Sequence, residues 1–186
     1  MAVPARLDKY TKTTKQRHFS RDFLAGWENY ETWEEATVGD TGPAQRTFEI
    51  AQEDIIAYNR ACGETDPLMI DPVHAKKHSP TGSVLPHPVF VTTIGFYSLG
   101  EKGLGTWART PGARNPQQRI EINEPLEVGE IITTTVTTTD KFIQRDKAYL
   151  QMLLELHNEK GVLKARWWAT LILPRTRADV AEFANA

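Results

Sequence analysis

The stretch that decides the fold is Gly63-Glu64-Thr65-Asp66-Pro67-Leu68-Met69-Ile70-Asp71-Pro72. The run before it, Gln52 to Cys62, has the apolar spacing of a helix, and Gly63 is a typical C-terminal stop. Asp71 and Pro72 then predict a second helix start. Asp accepts from the free N–H groups of a first turn, and Pro at the first helical position leaves no N–H unpaired. Fifteen residues past Pro72, His87 stands immediately before an apolar run that begins at Pro88.

The composition indicates one globular domain with a substantial core. The chain has 186 residues, of which 40% are hydrophobic and 25% are charged, as is ordinary for such domains. A net charge of -2 argues against nucleic-acid binding. The single cysteine, Cys62, excludes an internal disulfide framework, and no Cys/His cluster has the spacing of a zinc site. We therefore predict no bound metal.

The N-terminal segment is basic, and we expect a cytoplasmic protein without membrane contact. No apolar run is long enough to span a bilayer. Residues 1–29 form a basic and aromatic arm, in which Ser20 and Asp22 are alternative caps for a short helix over Phe23–Ala25. The arm has no apolar core, so it is not a secretory signal. It lies on the domain or on a partner, or else it is an organellar transit peptide.

The remaining pattern is one long apolar helix followed by strands. Pro88 to Leu99 is apolar on most sides and predicts a buried helix, and Gly100 to Gln117 is typical of a loop. Alternation predicts strands, of which the fourth also has helix-favouring composition; they are Arg46–Ile50, Arg119–Asn123, Ile131–Thr139, Ala148–His157 and Val162–Leu173. Residues 30–174 thus form the domain, and residues 175–186 form a tail with a short exposed helix.

These residues resemble the signature of MaoC-like enoyl-thioester hydratases, which reads Gly-Asp-x-Asn-Pro-x-His and precedes an apolar stretch with His-Gly-Met. Glu64 takes the place of the family's catalytic Asp, Asp66 that of its Asn, and Pro67 matches. Met69 stands where the family has its catalytic His, and Pro88 stands where it has a Gly. The resemblance implies an α+β fold: a single hot-dog domain, in which an antiparallel sheet wraps around one central apolar helix.

The resemblance also implies the chemistry to test. Hydration of an enoyl thioester needs a base for water, an acid for the α-carbon, and a donor for the developing charge on the thioester oxygen. Glu64, Asp66 and His87 are the catalytic candidates. Met69 cannot transfer a proton, and Pro88 has no N–H to donate. No cofactor is implied beyond the coenzyme A or acyl carrier that bears the substrate.

Other residues are candidates for binding the acyl thioester. Some would line an acyl tunnel (Met69, Pro88, Val89 and Phe90), and others would meet phosphates (Lys76, Lys77 and Arg119). Each candidate has a structural alternative. Asp66 and Asp71 are typical turn and cap residues, His74 and His78 fit a solvated basic face, and His87 fits a hydrogen-bonded structural role.

Three functions remain open at this point. The chain is a subunit that shapes the acyl tunnel beside an active partner, like the degenerate units found in MaoC-like dehydratases. Alternatively it is a self-sufficient enoyl-CoA hydratase with a rearranged site, or a non-enzymatic acyl-CoA-binding protein. In each case we expect a homodimer, or a heterodimer with a second MaoC-like subunit.

Overall fold

The computed structural model describes residues 11–18 and 26–185, so the short helix predicted over Phe23–Ala25 lies outside the described residues. Its helices are α1 Thr14–His18, α2 Gln52–Ala61, α3 Pro67–Ile70, α4 Pro72–His78, α5 Phe90–Ser98 and α6 Arg177–Asn185. Its strands are β1 Thr41–Pro43, β2 Phe48–Glu49, β3 Arg114–Ile122, β4 Ile131–Gln144, β5 Lys147–His157 and β6 Leu163–Leu173.

The strands form one antiparallel sheet in the order β1–β4–β5–β6–β3, and β2 pairs with β4. Alternate residues of β5 and β6 are buried, as the period of a half-buried strand requires. The buried face includes Leu150, Leu154 and Trp167. The α5 helix packs against this face through β4 and β6. The predicted sheet around one apolar helix is therefore present.

The α5 helix is the centre of the core because most of its apolar side chains are buried, Phe96 excepted. Phe90, Val91 and Ile94 are fully buried. The rings of Phe48 in β2 and Phe90 form a T-shaped pair with centroids 5.9 Å apart. This arrangement brings the partly positive edge of one ring to the partly negative face of the other. The helix is thus held between the sheet and the strand that precedes α2.

The first strand, the long loop and the tail helix differ from the sequence predictions. The strand predicted over Arg46–Ile50 is only two residues long, because the Arg46 N–H bonds to the Ser98 carbonyl at the end of α5. Part of the predicted loop is strand, since β3 begins at Arg114 and accommodates Pro116 at an irregularity on the sheet edge. The tail helix is not wholly exposed, because Val180 is buried.

A β-bulge lengthens β4 beyond the predicted end at Thr139. The β4–β5 register shifts between Thr138 and Asp140, so one extra residue is inserted there. Pairing then continues to Gln144, and the hairpin closes through Arg145 and Asp146, both with positive φ. That conformation suits a two-residue hairpin turn.

Candidate active site

The structure brings Glu64 and His87 together at the head of α5. His87 Nε2 lies 3.7 Å from Glu64 Oε1, and the two side chains are 27% and 30% exposed. Glu64 follows the end of α2, whereas His87 lies in the loop before α5. Two loops therefore present a carboxylate and an imidazole to the same small region of partly accessible surface.

Local hydrogen bonds orient the His87 ring. The Val89 N–H donates to His87 Nδ1 at 3.1 Å. In a neutral imidazole the nitrogen that accepts leaves the proton on the other one, so the proton of neutral His87 is on Nε2, the atom that faces Glu64. The Phe90 N–H donates to the His87 carbonyl at 2.9 Å and fixes the backbone as well.

Asn59 of α2 lies beneath this pair, and the sequence analysis missed it. It is fully buried, and its side chain bonds to Met69, Leu85 and His87. The available signal was its position four residues after the buried Ile55, which places both on one helix face. A polar residue on an inward face is an observation that requires a partner.

Tyr58 of α2 is a second polar group close to His87. Its ring centroid is 6.0 Å from that of His87, and its edge meets Phe90. Burial raises the pKa of the Tyr58 phenol, and the nearby Cys62 adds to that rise, while a hydrogen bond with Thr92 opposes it. The phenol therefore stays protonated at neutral pH and remains a hydrogen-bond donor.

The structure places Asp66 and Asp71 at helix starts. Asp66 Oδ1 accepts from the Leu68 N–H at 2.9 Å and caps α3. Asp71 Oδ1 accepts from the Val73 and His74 N–H groups at 2.9 and 3.2 Å and caps α4. Both carboxylates thus cap helices, which is the structural role that the sequence offered as the alternative to a functional one. Among the described contacts, none joins Asp66 to the Glu64–His87 pair.

The predicted tunnel residues differ in accessibility. Met69 is half-buried and accepts a hydrogen bond from Asn59 through its carbonyl. Pro88 is exposed and Val89 is half-buried at the head of α5. Phe90 is fully buried among core rings in this single chain. Met69, Pro88 and Val89 are therefore at least partly accessible, whereas Phe90 is part of the core.

The predicted phosphate contacts lie on separate elements. Lys76 and Lys77 are exposed on α4. Arg119 lies on β3, where its guanidinium is 4.6 Å from the Trp168 ring centroid and 3.1 Å from a Glu121 oxygen. Trp167 points into the core and Trp168 to the other face, because successive side chains of a strand point to opposite faces.

Residues 11–18 and 26–185 contain no group of three or more His, Cys, Asp or Glu side chains placed to hold a metal ion. In the same residues, no helix combines the length and the apolar character that crossing a bilayer requires.

Comparison with solved structures identifies the fold. The R-hydratase PhaJ1 from Pseudomonas aeruginosa superposes with a TM-score of 0.62 at 16% identity, covering 79% of this chain and 88% of that one. A MaoC-like dehydratase from Rhodospirillum rubrum gives 0.62 at 20% identity, with 78% and 98% covered. The HadBC complex (3R-hydroxyacyl-ACP dehydratase) from Mycobacterium tuberculosis gives 0.64 at 16% identity, with 75% and 98% covered.

The chain therefore has the hot-dog fold of MaoC-like dehydratases and R-hydratases, as the sequence resemblance implied. No protein-family model matches the sequence, and no curated protein matches it.

Proposed function

We propose that this chain acts on an acyl thioester as a hydratase or dehydratase, within a hot-dog dimer. The observation that carries the proposal is the 3.7 Å approach of His87 Nε2 to Glu64 Oε1 at the head of the central helix. Two groups at that separation can both hydrogen-bond to one water molecule, which is the arrangement that an acid–base pair needs. The substrate would be carried by coenzyme A or by an acyl carrier protein.

The pair can perform both proton transfers of hydration. Glu64 accepts a proton from water while the water oxygen bonds to the β-carbon and the carbon–carbon π bond breaks. The proton held by Glu64 then passes to the α-carbon, while the His87 Nε2–H donates a hydrogen bond that orients the attacking water. Glu64 is thereby a carboxylate again, and the net result is the addition of one water. Dehydration is the same sequence in reverse.

The third requirement is a donor for the charge that develops on the thioester oxygen. Pro88 has no N–H, and the Val89 N–H is engaged with His87. The Tyr58 ring lies 6.0 Å from the His87 ring, centroid to centroid, so its phenol is one candidate donor, and a group from a second chain is the alternative. The proposal therefore includes an assembly in which a partner completes the acyl tunnel.

The β3 strand, which is exposed at the edge of the sheet, supports such an assembly. The β3 strand pairs only with β6 among the described strands, and most of its residues are exposed. Open edges of this kind are normally covered. Two solved proteins with the same fold, HadBC and ChsH1–ChsH2, are complexes of two different subunits. We propose a homodimer, or a heterodimer with a second MaoC-like chain.

A second candidate function is favoured by Met69 and Pro88. If these residues mark a silent unit, this chain shapes the acyl tunnel while its partner supplies the acid and the base. Both candidates predict binding of the same thioester. They differ in which chain contains the groups that act on the reacting carbons.

The test is crotonyl-CoA hydration by the purified chain, alone and with any co-purifying MaoC-like subunit. Glu64→Gln and His87→Ala should each reduce kcat by about 10²–10⁴-fold, with little change in KM, if the pair is catalytic. Thermal melts must first show that each variant is folded. Losses of only a few-fold in well-folded variants would favour the silent-unit candidate.

A further inference from the structure

Asn59 connects the two loops that carry Glu64 and His87. Its amide nitrogen donates to the Met69 carbonyl at 2.8 Å and to the Leu85 carbonyl at 2.9 Å. Its amide oxygen accepts from the His87 N–H at 2.9 Å. The two donors and one acceptor satisfy this buried side chain. An apolar residue here would leave two carbonyls and one N–H without their partner.

The main chain of Asn59 holds the other member of the pair. Its carbonyl accepts from the Glu64 N–H at 3.0 Å, in the turn that ends α2. One residue therefore bonds to the backbone of both Glu64 and His87, although these are far apart in sequence. The relative position of the carboxylate and the imidazole depends on a single rigid point in a helix.

Two hydrogen bonds set the direction in which His87 Nε2 points. The Val89 N–H fixes the ring through Nδ1, and Asn59 fixes the backbone from which the ring projects. If the second constraint is removed, the loop can shift while the Val89 contact persists. Since Nε2 lies 3.7 Å from Glu64, a displacement of about an ångström changes whether both groups reach one water molecule.

We propose that Asn59 is the positioning residue of the acid–base site. It sets the separation of Glu64 and His87 and the direction in which His87 Nε2 points, while itself touching neither substrate nor reacting atoms. This inference rests on the proposed function for its catalytic consequence. Its structural part, the orientation of His87, stands independently of any activity.

The experiment compares Asn59→Ala and Asn59→Asp with a matched control, Asn158→Ala. Asn158 is also buried, but its side chain bonds to Glu130, Lys160 and Val162 in the turn between β5 and β6. Asn59→Asp retains the size and the acceptor for the His87 N–H, and loses the donors to the Met69 and Leu85 carbonyls. It serves as the test if Asn59→Ala does not fold.

Two readouts distinguish positioning from mere stability. The first is the nitrogen chemical shifts of the His87 ring in the ¹⁵N-labelled chain at alkaline pH, where the neutral imidazole of the wild type should show the Nε2–H form. We expect Asn59→Ala to shift or broaden these signals, Asn59→Asp to do so less, and Asn158→Ala to leave them unchanged. All three variants are expected to melt at lower temperatures.

The second readout is the hydration of crotonyl-CoA by the active assembly. Asn59→Ala should lose up to about 10²-fold in kcat, the usual effect of a small misplacement, with KM within a few-fold. Unchanged His87 signals in a folded Asn59 variant would overturn the proposal. If the wild-type assembly shows no hydration, the proposed function fails, whereas the chemical shifts still decide the role of Asn59.

Discussion

Gly95 of the central helix and Trp167 of β6 lie so close that a β-carbon on Gly95 would be 2.8 Å from the indole ring. The same atom would be 3.0 Å from a methyl carbon of Leu154. The helix backbone therefore rests directly on the sheet at this point. A glycine in the middle of a helix weakens it by about 0.5–1 kcal/mol relative to alanine, and here the close packing explains its presence.

Gly95→Ala is expected to destabilise the protein despite the better helix propensity of alanine. Overpacking a rigid core costs about 1–3 kcal/mol, which exceeds the propensity gain. Urea unfolding measures the change, and Trp167→Leu provides the control background. There the cost of Gly95→Ala should shrink, since the ring that would clash is gone. A variant as stable as wild type would mean that the sheet yields easily.

The ion pair between Glu130 and Lys164 is expected to make the stability of the fold sensitive to acid. Burial alone would raise its pKa, but the Lys164 ammonium and the Asn158 amide outweigh burial and lower it from 4.5. The pair is 2.7 Å apart, with the Lys164 side chain 6% exposed. A lowered carboxylate pKa gives stability that is present above pH 4.5 and lost as the pH falls through the folded-state pKa.

Glu130→Gln should therefore be less stable than wild type at neutral pH, by up to about 3–5 kcal/mol, since Lys164 loses its charged partner. The difference should shrink as the pH falls below 4.5. Chemical unfolding at a series of pH values checks this, with Glu127→Gln as an exposed control in the same turn. A difference that is independent of pH would show that the ion pair contributes nothing.

Met69→His alone should not raise hydration of crotonyl-CoA by more than a few-fold. The new imidazole has no N–H donor at position 88 to work with, because Pro88 lacks one. The double variant Met69→His/Pro88→Gly restores both groups of the family signature and should exceed either single change. Steady-state kinetics decide the matter. A large gain from Met69→His alone would show that an N–H at position 88 is not required, and would favour Tyr58 or the partner chain as the oxyanion donor.

Ile122→Lys at the end of β3 should weaken self-association or partner binding. Ile122 is 44% exposed on the open sheet edge, and charge on an edge strand opposes pairing with another chain. Sedimentation should show a dimer for the wild type and a larger monomer fraction for the variant. Val162→Lys, at a turn residue that is 41% exposed, is the matched control. A wild-type monomer at micromolar concentration would contradict the proposed assembly.

The central helix and the last two strands, β5 and β6, could be predicted because their patterns are local. The alternation of apolar residues in β5 and the apolar run in α5 each indicate directly which side chains are buried. The end of β4 could not be predicted, since a bulge interrupts its alternation. For the site, the sequence supplied Glu64 and His87 as separate candidates. The short distance between these two side chains depends on Asn59. An asparagine is expected to be exposed, and its burial is explained only by the three hydrogen-bond partners that the structure shows.

The bulge near Thr139 decides which side chains of the hairpin tip face inward. Before it, Val136 pairs with Leu154 on the buried face; after it, Lys141 pairs with Leu150 on that face, while Phe142 stacks on Tyr149. Loss of that one residue would exchange the faces of Lys141 and Phe142. A residue insertion within β4 between the bulge and the turn must therefore add an even number of residues if the side chains beyond it are to keep their faces.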